Sequence, residues 1–136
     1  QHIQGWATGN YDEIVEFASN VLRAYDDIGM RVSYSYAVRE QNHFVYQADQ
    51  DFCNRLPSVL DKLMANHFAQ QSLEFFDLLN LFDHLNENNK NSRAKIQLAP
   101  ANLHWMTDEG ILAFIEKAIV AGVPMPVHLL ETTYRK

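Results

Sequence analysis

Two hydrophobic periods alternate along this chain. From Tyr11 to Ile28, the residues Ile14, Val15, Ala18, Val21, Leu22 and Tyr25 recur at helical spacing. Asn10 stands at the N-cap of that helix with Glu13 three residues on, the spacing of a capping box, and Gly29 supplies the stop. The nine residues before it show no period and read as an arm leading into the helix. Over Met30–Val38 the period drops to two, with Val32, Tyr34, Tyr36 and Val38 alternating with Arg31, Ser33, Ser35 and Ala37. Polar Arg39–Asn42 reads as a turn, and His43–Ala48 repeats the alternation through Phe44 and Tyr46. The expectation is a β-hairpin.

Helical spacing returns at Phe52, Leu56, Val59, Leu60, Leu63, Met64 and Phe68, with Pro57 fitting a first turn. The most apolar stretch follows, Ser72–Leu85, in which Asp77, Asn80 and His84 form one narrow polar line flanked by Glu74 and Asp83. It predicts a central helix capped by Ser72, joined through Ala69–Ser72 to the preceding helix as an antiparallel hairpin or one bent rod. Asn86–Ser92 is a polar loop, and Arg93–Leu98 alternates weakly as a short strand closed by Pro100. Thr107 is an N-cap with Asp108 and Glu109 behind it, Ile111 to Ile119 supply a buried face, and Gly122 with Pro124 ends the helix. Val127–Tyr134 fits a strand and a short helix starting at Pro126 equally. The expected class is α+β: a mostly helical single domain of about four helices, with a small antiparallel sheet built on the hairpin.

Composition narrows the function classes. A chain of 136 residues buries a core without disulfides or metal. The formal net charge is -6 and the Lys and Arg residues are scattered, so no basic stripe exists to neutralise phosphates and nucleic acid is not expected as a partner. No apolar run approaches the ~18 residues of a membrane span. One cysteine, Cys53, precludes an intrachain disulfide, which fits a reducing compartment and makes the cytoplasm the expected location.

Candidate chemistry is sparse. Asp77 and His84 share a helical face, yet seven residues span about 10 Å along a helix, too far for both to ligate one ion. A metal would need His43 or His67 as well, and no metal or cofactor signature is present, so none is expected. Tyr34, Tyr36 and Tyr46, with Phe44 and His43, either line a pocket for a small ligand or pack against the helices. The candidate ligand residues are therefore Tyr34, Tyr36, His43, Tyr46, Asp77 and His84. Cys53, between Phe52 and Leu56, reads as a small core residue rather than a nucleophile. Ala118 and Gly122 have helix-turn-helix spacing, but Lys117 and His128 fall where that motif needs apolar residues. The expected function is a protein-interaction or regulatory module acting through helix–helix contacts as a homo-oligomer, with Phe75, Phe76, Leu79 and Phe82 at the interface; the residues point away from catalysis without deciding it, and no catalytic residue is assigned. The alternatives are a small-molecule-binding domain or small enzyme, with its pocket between the aromatic hairpin and the helices, and a subunit of a larger phage or secretion assembly.

Overall fold

Every strand of the sheet runs in the same direction. The structure, a computed structural model, describes residues 2–6, 9–69 and 73–129, and of residues 2–6, 65 and 67–69 the backbone only. Strand β1 (His2–Trp6) leads through helix α1 (Tyr11–Asp27) to β2 (Val32–Val38). Helices α2 (Asp49–Cys53), α3 (Ser58–Ala69) and α4 (Phe75–Asn88) then intervene before β3 (Ala94–Pro100), a 3-10 turn (Leu103–Trp105) and α5 (Asp108–Ala121). The sheet has the order β1-β2-β3, and both pairings are parallel: Ile3 lies opposite Tyr34, and Tyr34 opposite Ile96.

The antiparallel hairpin expected over Met30–Ala48 is therefore not formed. Both edges of β2 are occupied, one by β1 and the other by β3, so no edge is left for a returning strand. The alternation in Val32–Val38 is real, but period two records only which face a side chain takes and not the direction of the neighbour. Residues 39–48 are irregular, and their aromatic rings pack by stacking: Phe44 on Phe52 and Tyr46 on Trp105. The lead-in arm supplies a strand where no period is visible in the sequence. The described residues hold five α-helices, against the four expected.

Parallel strands need crossovers, and here the crossovers build the core. Val32, Tyr34, Tyr36, Val38, Ala94, Ile96 and Leu98 present one apolar face of the sheet. Ile14, Ala18 and Leu22 of α1 pack into it, together with Leu78, Leu81, Phe82 and Leu85 of α4 and Phe114 and Ala118 of α5. Burying each large side chain of this set contributes roughly 1.5–3 kcal/mol. Helix α4 touches α1, β3 and α5, the central position that its wide apolar surface predicts.

Local signals set the helix ends. Asn10 Oδ1 accepts from Glu13 N at 3.0 Å while Glu13 Oε2 accepts from Asn10 N at 3.0 Å, which completes the capping box. At the other end of α1, Met30 N donates to Tyr25 O and Gly29 N to Asp26 O, with Gly29 at φ 71. Helix α4 starts at Phe75 with Glu74 as N-cap, later than expected, and Ser72 lies outside the described residues. Helix α3 keeps Val59, Leu60 and Leu63 exposed, so the apolar stripe read from Phe52 to Phe68 is not turned into the core over those positions. Of the tail, residues 127–129 are described: His128 makes an isolated parallel bridge with Asn102, while the rest of Val127–Tyr134 lies outside the described residues.

Candidate functional site

Because all the strands are parallel, the segments that follow β2 and β3 emerge on the same edge of the sheet. In open parallel sheets ligands bind outside the carboxyl ends of the strands where strand order reverses; the order β1-β2-β3 has no such reversal among the described strands, so a site here rests on its side chains. This carboxyl-terminal edge gathers Arg39–Asp49 after β2 and Ala101–Thr107 after β3.

Backbone and amide contacts lash the two segments together. Trp105 O accepts from Glu40 N at 2.7 Å and from Gln41 N at 3.1 Å. Gln41 Nε2 donates to Met106 O at 2.7 Å, and Asn42 Nδ2 donates to His104 O at 2.6 Å. Asn42 holds φ at 54, an uncommon conformation for a residue with a side chain, and this bend lets its amide reach across. The Glu40 carboxylate accepts from Thr107 N at 2.9 Å and from Thr107 Oγ at 2.9 Å. Thr107 Oγ in turn accepts from Gly110 N at 3.0 Å, so the loop after β2 and the first turn of α5 form one latch.

The side chains carried by this frame are aromatic and basic. The Arg39 guanidinium carbon sits 3.9 Å from the centroid of the Trp105 ring. Tyr46 stacks on Trp105 at 5.5 Å between centroids and meets His104 edge-on at 5.7 Å. Burial lowers the Arg39 pKa, an effect opposed by the charge of Asp49. His43 Nδ1 lies 2.7 Å from Asp49 Oδ2, and Phe44 N donates to Asp49 Oδ1 at 3.2 Å. Burial pushes the Asp49 carboxyl up, but the hydrogen bonds from His43 and Phe44 outweigh it and hold the group below the usual carboxylate range.

His104 has a fixed tautomer. Buried Asn102 places Oδ1 3.0 Å from His104 N and 3.0 Å from His104 Nδ1. A backbone N–H donates to that atom, so it is the oxygen of the amide, and the ring nitrogen beside it carries the proton. In the neutral ring Nε2 is then the nitrogen with the lone pair. That atom is buried without a partner among the described residues, as are Arg39 Nε and Trp105 Nε1. The arrangement can offer two N–H donors and one proton acceptor to a molecule that enters between the segments.

The candidates read from the sequence are divided by the structure. His43 and Tyr46 belong to this cluster. Tyr34 and Tyr36 do not: both are fully buried under the helices. The Tyr36 hydroxyl donates to Leu78 O, whereas the Tyr34 hydroxyl has no partner among the described residues, and burial pushes its pKa up to about 12. Asp77 and His84 lie on α4, Asp77 in its first turn. His84 meets the Tyr11 ring edge-on at 6.2 Å and borders a cavity of about 240 Å³ with Arg23 and Lys90. The Tyr11 hydroxyl pKa is raised by burial and then by the charges of Asp77, Asp12 and Asp83. Phe82 is buried in the core, Phe75 and Leu79 pack partly against it, and Phe76 is exposed. Among the described residues no group of three His, Cys, Asp or Glu side chains is placed to hold a metal ion, and the His67 side chain lies outside them.

Sequence reasoning passes over Arg39, Glu40, Asn102, His104 and Trp105. The available signal is the polar and aromatic run Asn102–Trp105 directly after a strand, which gains meaning only once the sheet is known to be parallel. No known protein family, curated protein or solved structure matches the chain.

Proposed function

We propose that this chain binds a small polar molecule at the carboxyl-terminal edge of its parallel sheet, between the loop after β2 and the segment after β3. The observation that carries the reading is that, of five buried side-chain polar atoms without partners among the described residues, three belong to these two segments: Arg39 Nε, His104 Nε2 and Trp105 Nε1. An unmet buried polar group costs about 1–3 kcal/mol, so three in one place mark a site whose complement comes from outside the chain. Tyr46 and the Trp105 ring supply the apolar walls, and Asn102, Glu40 and Thr107 hold the donors in place. A thermal-shift screen against a metabolite panel tests this directly. A ligand should raise the melting temperature saturably, and Trp105→Phe, which keeps a ring and deletes Nε1, should weaken it. A ligand that binds equally well to Trp105→Phe and His104→Ala would refute the assignment.

A second reading, self-association or docking of a protein partner through the helices, is supported by exposed apolar side chains: Phe76 on α4 at 76 % exposure, and Leu112, Ile119 and Val120 on α5, the last at 86 %. Light scattering across a concentration series, on the native chain and Phe76→Asp, tests it: a monomer throughout removes the reading. No helix among the described residues is long and apolar enough to cross a membrane. The cytoplasm is the proposed location, supported by the unpaired thiol of buried Cys53.

A further inference from the structure

The carboxyl-terminal edge carries a guanidinium without a direct carboxylate contact, beside polar atoms without partners among the described residues, and a proposal built on that cation rests on the small-molecule reading of the same site. Arg39 is a half-buried cation, and among the described residues no carboxylate lies within ion-pair distance of it. The two acidic groups of the same loop are already committed. Glu40 is taken by Thr107 N and Oγ, and Asp49 by His43 and Phe44 N. The N-terminus of α5, the other attractive place for an anion at this edge, is occupied by the Glu40 carboxylate. Arg39 thus feels the charge of Asp49 through space, but no carboxylate among the described residues is in direct contact with its guanidinium.

The Arg39 guanidinium carbon lies over the Trp105 ring, and the N–H groups of a guanidinium favour planar or tetrahedral oxyanions. Trp105 Nε1–H is a second donor beside it without a partner. We propose that the ligand of this edge carries an oxyanion, a carboxylate or a phosphate, received by the Arg39 guanidinium with Trp105 Nε1–H as its neighbour. His104 Nε2, with its lone pair fixed by Asn102, accepts from a hydroxyl or N–H elsewhere on the same molecule.

The test is a titration of the whole chain followed by the indole N–H resonance of Trp105 in proton–nitrogen NMR, assigned with Trp105→Phe. The probes are acetate, inorganic phosphate and, as the uncharged counterpart of acetate, acetamide, all at one ionic strength. Acetate or phosphate should shift the Trp105 signal saturably and acetamide should not; which anion binds more tightly identifies the kind of oxyanion. Arg39→Gln, with its melting temperature measured in parallel, should weaken the anion by about tenfold to a hundredfold. The comparison of acetate with acetamide on the native chain holds even where that variant folds poorly. Equal binding of acetamide and acetate, undiminished anion binding to Arg39→Gln, or a ligand from the metabolite panel that binds here without an oxyanion would overturn the inference and leave the small-molecule reading intact. If neither the probes nor the panel perturbs Trp105 or His104, both fall.

Discussion

Replacing Gly110 by alanine sets two effects of opposite sign against each other. Gly110 occupies the first turn of α5, and in a helix alanine is favoured over glycine by up to about 1 kcal/mol. The added Cβ, however, would lie 2.1 Å from Glu40 Oε2, 3.0 Å from Glu40 Cδ and 3.1 Å from Thr107 Oγ. A carbon cannot sit 2.1 Å from an oxygen, so the carboxylate must leave, which its flexible side chain permits. The cost is then the loss of what the carboxylate holds, namely the bonds from Thr107 N and Thr107 Oγ, each 2.9 Å long. Hydrogen bonds to a charged acceptor contribute about 1.5–3 kcal/mol each when well shielded, and this pair is half-buried, so about 2–4 kcal/mol together is reasonable. Subtracting the propensity gain leaves a net loss of about 1–3 kcal/mol. For a chain of this size that is a fall in melting temperature of roughly 3–10 °C. Urea unfolding of four proteins, the native chain, Gly110→Ala, Glu40→Ala and the double variant, gives the decisive comparison. With Glu40 truncated the 2.1 Å collision disappears and only the tight 3.1 Å approach to Thr107 Oγ remains, so Gly110→Ala should cost at least about 1 kcal/mol less than in the native background. An equal loss in both backgrounds would refute the latch as the reason for glycine at this position.

Elsewhere in the molecule, Tyr36→Phe should cost about 1–2 kcal/mol, because it strips the buried Leu78 carbonyl of a donor, whereas Tyr34→Phe should be neutral or stabilising, since its hydroxyl is buried unpaired; chemical denaturation of both variants checks the contrast. Asp49 has a folded pKa below its unfolded value of about 3.9, so its contribution is present above that value and is lost as the pH falls through the lower folded one. The stability gap between the native chain and Asp49→Asn should accordingly narrow below about pH 4, and a gap that stays constant into strong acid would contradict the assignment. Phe82→Asp should abolish folding by circular dichroism, while Phe76→Asp should change stability by less than about 0.5 kcal/mol, because only the first is enclosed. Burial pushes the Cys53 thiol up, with Asp61 adding to the effect, so alkylation by iodoacetamide at neutral pH should be slower than for free cysteine.

The parts of this fold legible in the sequence are those whose signals close within a few residues. The Asn10–Glu13 box, the Gly29 stop, Thr107 and Gly122 each act over one helical turn, and each appears in the structure where its residue type demands. The sheet is illegible for the opposite reason. Val32 is paired with Ala94, a choice set by which elements the intervening helices bring together. The aromatic alternation of Tyr34 and Tyr36 would look the same whether a ligand or α4 covered it, and here α1, α4 and α5 do. The polar line on α4 shows in the sequence as a period, but no period tells that three of the polar atoms without partners among the described residues lie instead on the segments after β2 and β3.

That separation bears on where function resides in the chain. Along α4 the polar groups face a groove or solvent, as for Asn80 and His84, or are paired, as Asp83 is by Lys117, so nothing there calls for a further molecule. At the carboxyl-terminal edge several local rules are broken together. Asn42 holds a positive φ, and among the described residues a half-buried guanidinium has no carboxylate within ion-pair distance and three polar atoms are enclosed without partners. Ser33 Oγ and Tyr34 Oη on β2 are also buried without partners among the described residues, but only at this edge do such atoms coincide with a positive φ and a half-buried guanidinium, and conflicts that coincide favour a functional site. Most of the residues concerned lie on two short segments joined by six hydrogen bonds, counting those of Glu40 N, Gln41 N, Gln41 Nε2 to Met106, Asn42 Nδ2 and the two to Glu40 from Thr107. Rigidity of that kind keeps unmatched donors apart from any acceptor of the chain itself, and so preserves them for one that arrives from solution.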